Sequence, residues 1–232
     1  MALYGIGDLH LSLGADKPMD VFGSQWKDHD RKLLESFSAL GPEDVCVLCG
    51  DISWSMGLEA AAPDFRFIDA LGGQKIVLKG NHDYWWNTAA KLERFFRQEG
   101  FKTIRILHNN CHFWKDLAIC GTRGWFFEEE TGGAHDRKIM QRELMRLEAS
   151  LKAAGDREKI CFLHYPPRYG DSYVCREICD LFALYGVKEC YYGHLHGPAR
   201  KNAVQGVKEG VRYTLISADQ LDFRPLLIRS GQ

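Results

Sequence analysis

No apolar run in this 232-residue chain approaches the ~20 residues that a membrane-spanning helix requires, so a bilayer-embedded protein of that kind is not expected. An excess of one charge is missing too. Lys and Arg number 30 against 31 Asp and Glu, giving a net charge of −1 and a pI near 6.7. No global field therefore draws the chain to nucleic acid or to an acidic lipid surface, although a local basic groove is still allowed. Low-complexity tracts and internal repeats are absent. Cysteine is present eight times, too sparsely over this length for a disulfide scaffold. Cys46, Cys49, Cys120, Cys161 and Cys190 sit in or beside apolar runs, where a reduced thiol behaves as a small hydrophobe. Cys46 and Cys49 have the spacing of a redox pair, but on a strand residues three apart face opposite sides. Cys175 and Cys179 read as one packing face of a helix. The expectation is buried free thiols in a reducing compartment, the cytoplasm. Met1 to Gly7 lead straight into Asp8 without a basic stretch or a long apolar core, and read as a first strand rather than a signal peptide.

What is present is a balanced globular composition, 45% hydrophobic and 26% charged. Short apolar runs alternate with helical patterns. Strands are expected at 2–7, 45–49, 76–79, 103–107, 112–115, 117–121, 160–164, 189–193, 212–217 and 225–229, all rich in Val, Ile, Leu, Tyr and Cys. Helices are expected at 27–40, 58–71, 88–99, 137–154 and 174–185. The fourth is the clearest, with Met140, Leu144, Leu147 and Leu151 on one face and Gly155 as its stop. Alternating strands and helices predict an α/β fold, read as one domain over 1–232. The short connections within 103–121 and 212–229 predict some mixed or antiparallel pairing. Two loops with apolar content, 11–26 and 122–136, either cover a site or simply pack on the surface.

The chemistry gathers at the carboxyl ends of the strands. The first ends in Asp8-Leu9-His10, the second in Gly50-Asp51 and the third in Gly80-Asn81-His82-Asp83. Two later strands end in His164-Tyr165-Pro166-Pro167 and Gly193-His194-Leu195-His196. In open α/β sheets that edge is where ligands collect. Two carboxylates, four imidazoles and one amide form a mixed oxygen and nitrogen set suited to Mn, Fe, Zn, Ni or Co. No cysteine joins them, which argues against a closed structural zinc site. The glycines before Asp51, Asn81 and His194 let the backbone turn sharply and approach closely. In both Asp8-Leu9-His10 and His194-Leu195-His196 the middle residue can point into the core while its neighbours share a face.

These five blocks, in order and spacing, resemble the calcineurin-like metallophosphoesterases over residues 4 to 196. The H-x-H-x-D-H block of metallo-β-lactamase-like hydrolases is absent. The resemblance implies a four-layer α/β/β/α sandwich with mixed sheets and a dinuclear metal site at the strand ends. It places Asp8, His10, Asp51 and His196 on one divalent ion and Asp51, Asn81, His164 and His194 on the other, with Asp51 bridging. It implies ions ~3.5–4 Å apart whose shared hydroxide attacks phosphorus in line with the leaving oxygen. His82 is then the general acid and Asp83 its orienter; a merely structural His–Asp pair is the alternative.

The chain departs from serine/threonine protein phosphatases, which place an arginine shortly after the bridging aspartate; here Asp51 is followed by Ile52-Ser53-Trp54. Arg123 is the candidate phosphate clamp, with a surface salt bridge as the alternative, and Arg168 is a second candidate. Glu128-Glu129-Glu130 read as a solvated loop face. Trp85 and Trp86 either stack on a leaving group or pack in the core. The expected function is metal-dependent hydrolysis of a small or medium phosphomonoester or phosphodiester. A nuclease, a nucleotide pyrophosphatase and a non-catalytic protein-binding scaffold are the alternatives, with a phosphorylated small molecule as the expected partner. Oligomeric state is not legible in the sequence.

Overall fold

A computed structural model describes residues 1–125, 134–170 and 173–231 of the chain. The first series of elements is β1 (Leu3–Ile6), α1 (His29–Phe37), β2 (Val45–Cys49), α2 (Ala62–Ala70), β3 (Gln74–Leu78), α3 (Ala89–Glu99) and β4 (Ile104–Ile106). The second is β5 (His112–Trp114), β6 (Leu117–Thr122), α4 (Ala134–Ala153), β7 (Glu158–Leu163), β8 (Arg168–Tyr169), β9 (Tyr173–Val174), α5 (Arg176–Tyr185) and β10 (Glu189–Tyr192). The hairpin β11 (Gly206–Lys208) and β12 (Val211–Leu215) follows, and then β13 (Leu226–Arg229).

The strands are apolar on both faces, and alternation sends successive residues to different layers. Cys46 and Leu48 of β2 pack with Leu33, Phe37, Phe65 and Leu92 of the first three helices. Val47 and Cys49, between and beyond them, meet Ile119, Ile160 and Phe162 of the other sheet. Cys161 and Leu163 of β7 turn the opposite way, onto Leu147 and Leu151 of α4 and Phe182 of α5. Three apolar layers thus separate helices, sheet, sheet and helices, which is the expected α/β/β/α sandwich. Burying a Leu, Ile or Phe fully contributes roughly 1.5–3 kcal/mol, so the fully buried Ile160 and Phe162 hold the sheets face to face.

The first sheet runs β13-β1-β2-β3-β4 and the second β11-β12-β10-β7-β6-β5, with β8 and β9 forming a separate ribbon. The pairs β1–β2, β2–β3 and β3–β4 are parallel, and so are β6–β7, β7–β10 and β10–β12. All these strands therefore point their carboxyl ends the same way within each sheet. Edge strands β13, β5 and β11 are antiparallel.

The expected mixed pairing is present, with β5–β6 antiparallel within 103–121 and β13 antiparallel to β1. The strands within 212–229 do not pair with each other: β12 joins β10 while β13 crosses to β1. The crossing is fixed where Ser217 bridges to Gly7 and Ala218 N–H donates to the Gly7 carbonyl at 2.9 Å. The short β8, β9 and β11 lie outside the expected strands, because two or three residues carry no readable period. All eight cysteines are free, and Cys46 and Cys49 do face different layers. Of loop 122–136, the expectations for Phe126, Phe127 and Glu128 to Glu130 lie outside the described residues.

Candidate metal centre

The strand ends reach one point through a backbone device that pattern alone does not reveal. Asp8, His10, Asp51 and His194 all have left-handed φ, at 60°, 47°, 50° and 72°. Such values are uncommon outside glycine, cost energy, and cluster where function demands a particular side-chain direction. Leu9 and Leu195 are buried as expected, but their neighbours converge by left-handed turns, not by the pleat of a continuing strand. Two glycines make the close approach feasible. A Cβ on Gly80 would run into the backbone and carboxylate of Asp51, and one on Gly193 into the carboxylate of Asp8.

All seven expected ligand positions meet. His196 Nε2 lies 3.3 Å from Asp8 Oδ1 and 3.3 Å from His10 Nε2. Asp51 Oδ2 is 3.8 Å from His10 Nε2 and 3.5 Å from His164 Nε2. Asn81 Oδ1 lies 2.6 Å from His164 Nε2 and 3.0 Å from His194 Nδ1. Asp8, His10 and His196 form one tight Asp/His group, and Asp8, Asp51 and His164 another. Two rings are oriented from behind. His164 Nδ1 donates to the Cys49 carbonyl at 3.1 Å and His196 Nδ1 to Asp219 at 2.9 Å, which aims each Nε2 at the centre.

This donor set fits divalent cations. Two buried carboxylates and several imidazole lone pairs face one another across the same few ångströms, and a shared cation satisfies both. The proton affinities express that crowding. Burial alone would raise the Asp8 carboxyl, but His196, then His164 and His10, hold it well below the usual carboxylate range. Asp51 moves oppositely, up to about 8, through burial and the neighbouring charge of Asp8. For His196 the loss of solvent is outweighed by Asp8 and Asp219, and the ring rises to about 10. Burial, then His164, pushes His194 down to about 3.

A family model for calcineurin-like phosphoesterases matches residues 1–198. The chain belongs to that family. Calcineurin-like phosphoesterases work with a pair of divalent ions, and this member is a metal-dependent phosphoester hydrolase whose Asp/His groups suit such a pair. Among curated proteins none matches the chain. Solved structures share its fold at low identity. A phosphopantetheinyl hydrolase from Mycobacterium tuberculosis aligns with TM-score 0.58 and 14% identity over 100% of this chain and 97% of that one. A protein of unknown function from Aquifex aeolicus aligns at 0.53 and 16% over 97% and 94%. A protein from Thermus thermophilus aligns at 0.57 and 14% over 92% and 87%. No helix among the described residues is long and apolar enough to cross a membrane.

The remaining expected site residues divide. His82 sits at the centre's rim, its ring 4.5 Å from Trp54 and 5.9 Å from His10, with Nδ1 3.5 Å from the Tyr84 hydroxyl. Its backbone N–H donates to Asp51 Oδ1 at 2.8 Å, tying the rim to the carboxylate. Asp83 does not orient it, contrary to expectation. The buried Asp83 carboxylate accepts from Ile52 N, Gly80 N, Ser53 N and Trp85 Nε1 at 2.7, 2.7, 3.3 and 2.9 Å. It staples the loop bearing Asp51 to the loop bearing Asn81.

Trp85 is core, edge-on to Phe65 at 4.8 Å, while Trp86 is half-buried beside His108. Arg123 donates to the buried Glu143 at 3.1 Å. Arg168, the second candidate, pairs its guanidinium with Glu209 and lies over the Tyr213 ring.

Several site residues escape a reading of the sequence. Trp54 stacks on His10 at 4.9 Å and Trp26 meets the same ring edge-on at 5.6 Å. Lys17, from loop 11–26, lies 3.3 Å over Trp54, so that loop does pack beside the centre. Asp219 follows β12 just as the expected ligands follow their strands, and the same strand-end rule carried one strand further finds it.

Proposed function

We propose that this phosphoesterase hydrolyses a small or medium phosphomonoester or phosphodiester. In this reading Asp8, His10, Asp51 and His196 hold one divalent ion, and Asp51, Asn81, His164 and His194 hold the other. The supporting observation is the position of Asp51 Oδ2, flanked by His10 on one side and His164 on the other. When bound, two such ions supply Lewis acidity that activates water and neutralises charge on the transferring phosphoryl group.

The chain's own residues do the rest. Asn81 contributes a neutral oxygen that adds no charge to an already anionic set. Asp219 and the Cys49 carbonyl fix the tautomers of His196 and His164. Trp54 and Trp26 wall His10 and keep water from its face. His82 is the proton donor to the leaving oxygen. Burial, then His164 and Lys17, lowers its ring to about 4, and an arriving phosphate dianion acts in the opposite direction and favours the protonated form. Manganese is the proposed metal for assay. The eight free thiols are consistent with a cytoplasmic setting.

The test strips the protein of metal, reloads it with Mn²⁺ and compares a chromogenic phosphomonoester with a chromogenic phosphodiester. Metal-dependent turnover that disappears in Asp51→Asn is expected, and the preferred ester sets the substrate branch. In His82→Ala a loss of about 10²–10⁴-fold with metal content retained is expected of a general acid. A wild type that binds fewer than two ions overturns the assignment. A fully loaded wild type inert toward both esters favours the scaffold alternative.

A further inference from the structure

Beside the metal centre, a cavity of about 220 Å³ opens at the carboxyl ends of β3, β4 and β6, and it is strongly cationic. Lys79, Arg123 and Arg146 line it with His108, against Glu143 as the one carboxylate in the lining. That carboxylate is already engaged. It accepts from Arg123 and Arg146 at 3.1 and 2.5 Å and from the Thr122 hydroxyl at 3.1 Å, so it aligns two guanidinium groups and has little left for a third cation. Arg123 Nε is buried without a partner. Lys79 is half-buried and makes no ion pair among the described residues. A partly buried surplus cation costs free energy that a bound anion offsets.

The remaining wall suits an anion as well. Asn87 and Thr88 bring the amino end of α3, an eleven-residue helix, to the cavity, where the helix dipole favours negative charge. The cavity is close to the metal centre. Lys79 is two residues from Asn81, which limits their Cα atoms to about 7 Å apart. The Arg123 carbonyl accepts from the N–H of Tyr165, next to His164, at 2.9 Å.

We propose that this cavity is a second anion subsite that takes a phosphoryl group remote from the scissile ester, so that preferred substrates carry two phosphoryl groups. This rests on the hydrolase reading above and extends it to a substrate class. Free inorganic phosphate shares the same chemistry, and the two arms of the test separate these sources.

In one arm, the Mn²⁺-loaded full chain is titrated calorimetrically with sulfate, a non-hydrolysable mimic, alongside Lys79→Gln and Arg146→Gln. Each variant is expected to weaken a sulfate event about tenfold, the loss of roughly one charge-assisted contact, with metal content and the melting curve retained. Unchanged sulfate affinity in both variants overturns the subsite, whatever the activity. In the other arm, kcat/KM is measured for α,ω-alkanediol bisphosphates of three to eight carbons against alkyl monophosphates of equal length. A preference for the bisphosphate of about tenfold or more at one chain length, reduced in both variants, is expected. Sulfate binding lost in the variants without any bisphosphate preference would assign the cavity to free phosphate and overturn the substrate class. If no ester is turned over, the hydrolase reading fails while the sulfate arm still decides the subsite.

Discussion

The two sheets bring unlike chemistry to the shared edge. The first supplies both carboxylates, Asp8 and Asp51, together with Asn81 and His10; the second supplies imidazoles only, His164, His194 and His196. The first half alone is a concentration of negative charge that its own layer cannot neutralise. The second half brings no carboxylate ligand of its own, because its one carboxylate at this edge, Asp219, is engaged by His196. Each half also orients the other. Cys49 of the first sheet accepts from His164, and the Asp8 carboxylate accepts from the His194 N–H at 3.0 Å. Charge comes from one side and direction from both, so the site exists only while the sheets stay packed on Ile160, Phe162 and their neighbours.

The sharpest way to break this comparison is to neutralise one residue of each half. Asp51→Asn should cost on the order of a thousandfold in kcat and lower metal content at both positions, because its carboxylate lies between the two groups. His164→Ala should empty one position and spare the other. Equal metal loss in both variants, measured by elemental analysis, would mean that the halves are not unlike in this sense.

A second measurement tests the protons that substitute for metal. Asp51 at about 8 and His196 at about 10 are both protonated at pH 7, and both must lose the proton to ligate. Metal uptake in weak buffer at pH 7 should therefore release protons, and affinity should climb as pH rises from 7 toward 10. The metal-free fold should behave oppositely. A histidine raised from its ordinary value near 6.5 stabilises fully below that value and loses the contribution as pH passes about 10. Absence of proton release would remove the charge argument.

Smaller still is the effect of Asp219→Asn, expected to weaken metal affinity about 10–100-fold through misoriented His196, with both ions still bound at high concentration. The smallest effect on chemistry belongs to Asp83→Asn. Four N–H donors lose an ionisable acceptor, so stability should fall by roughly 1–3 kcal/mol. The pH dependence of turnover should stay as in wild type, whereas an orienter of His82 would shift it.

Much of this is legible before any coordinate. Strands apolar on both faces, such as 45–49 and 160–164, require cover on both sides, and that dictates layers; polar residues just beyond them are then forced to one edge. What stays hidden depends on partners distant in the chain. Asp83 reads as the partner of His82 because they are adjacent, yet its donors arrive from residues 52 and 53 once β2 and β3 pair. Arg168 looks available beside His164, but Glu209 neutralises it from another hairpin. Charges are assigned by tertiary neighbours, and one sequence without contacts cannot rank them. Left-handed φ at aspartate and histidine leaves only a weak compositional signal, since most such residues adopt ordinary backbone, unlike the glycines that accompany them.

The crossing at Gly7 and Ser217 joins segments that lie far apart in the sequence. Asp8 and its hydrogen-bond donor His194 are 186 positions apart, and Asp219 lies later again. Contacts of such separation form slowly, since a long loop must close before they are rewarded. The first sheet by itself holds paired carboxylates without their imidazoles or its edge strand β13, so the full ligand set comes together only when the second sheet docks.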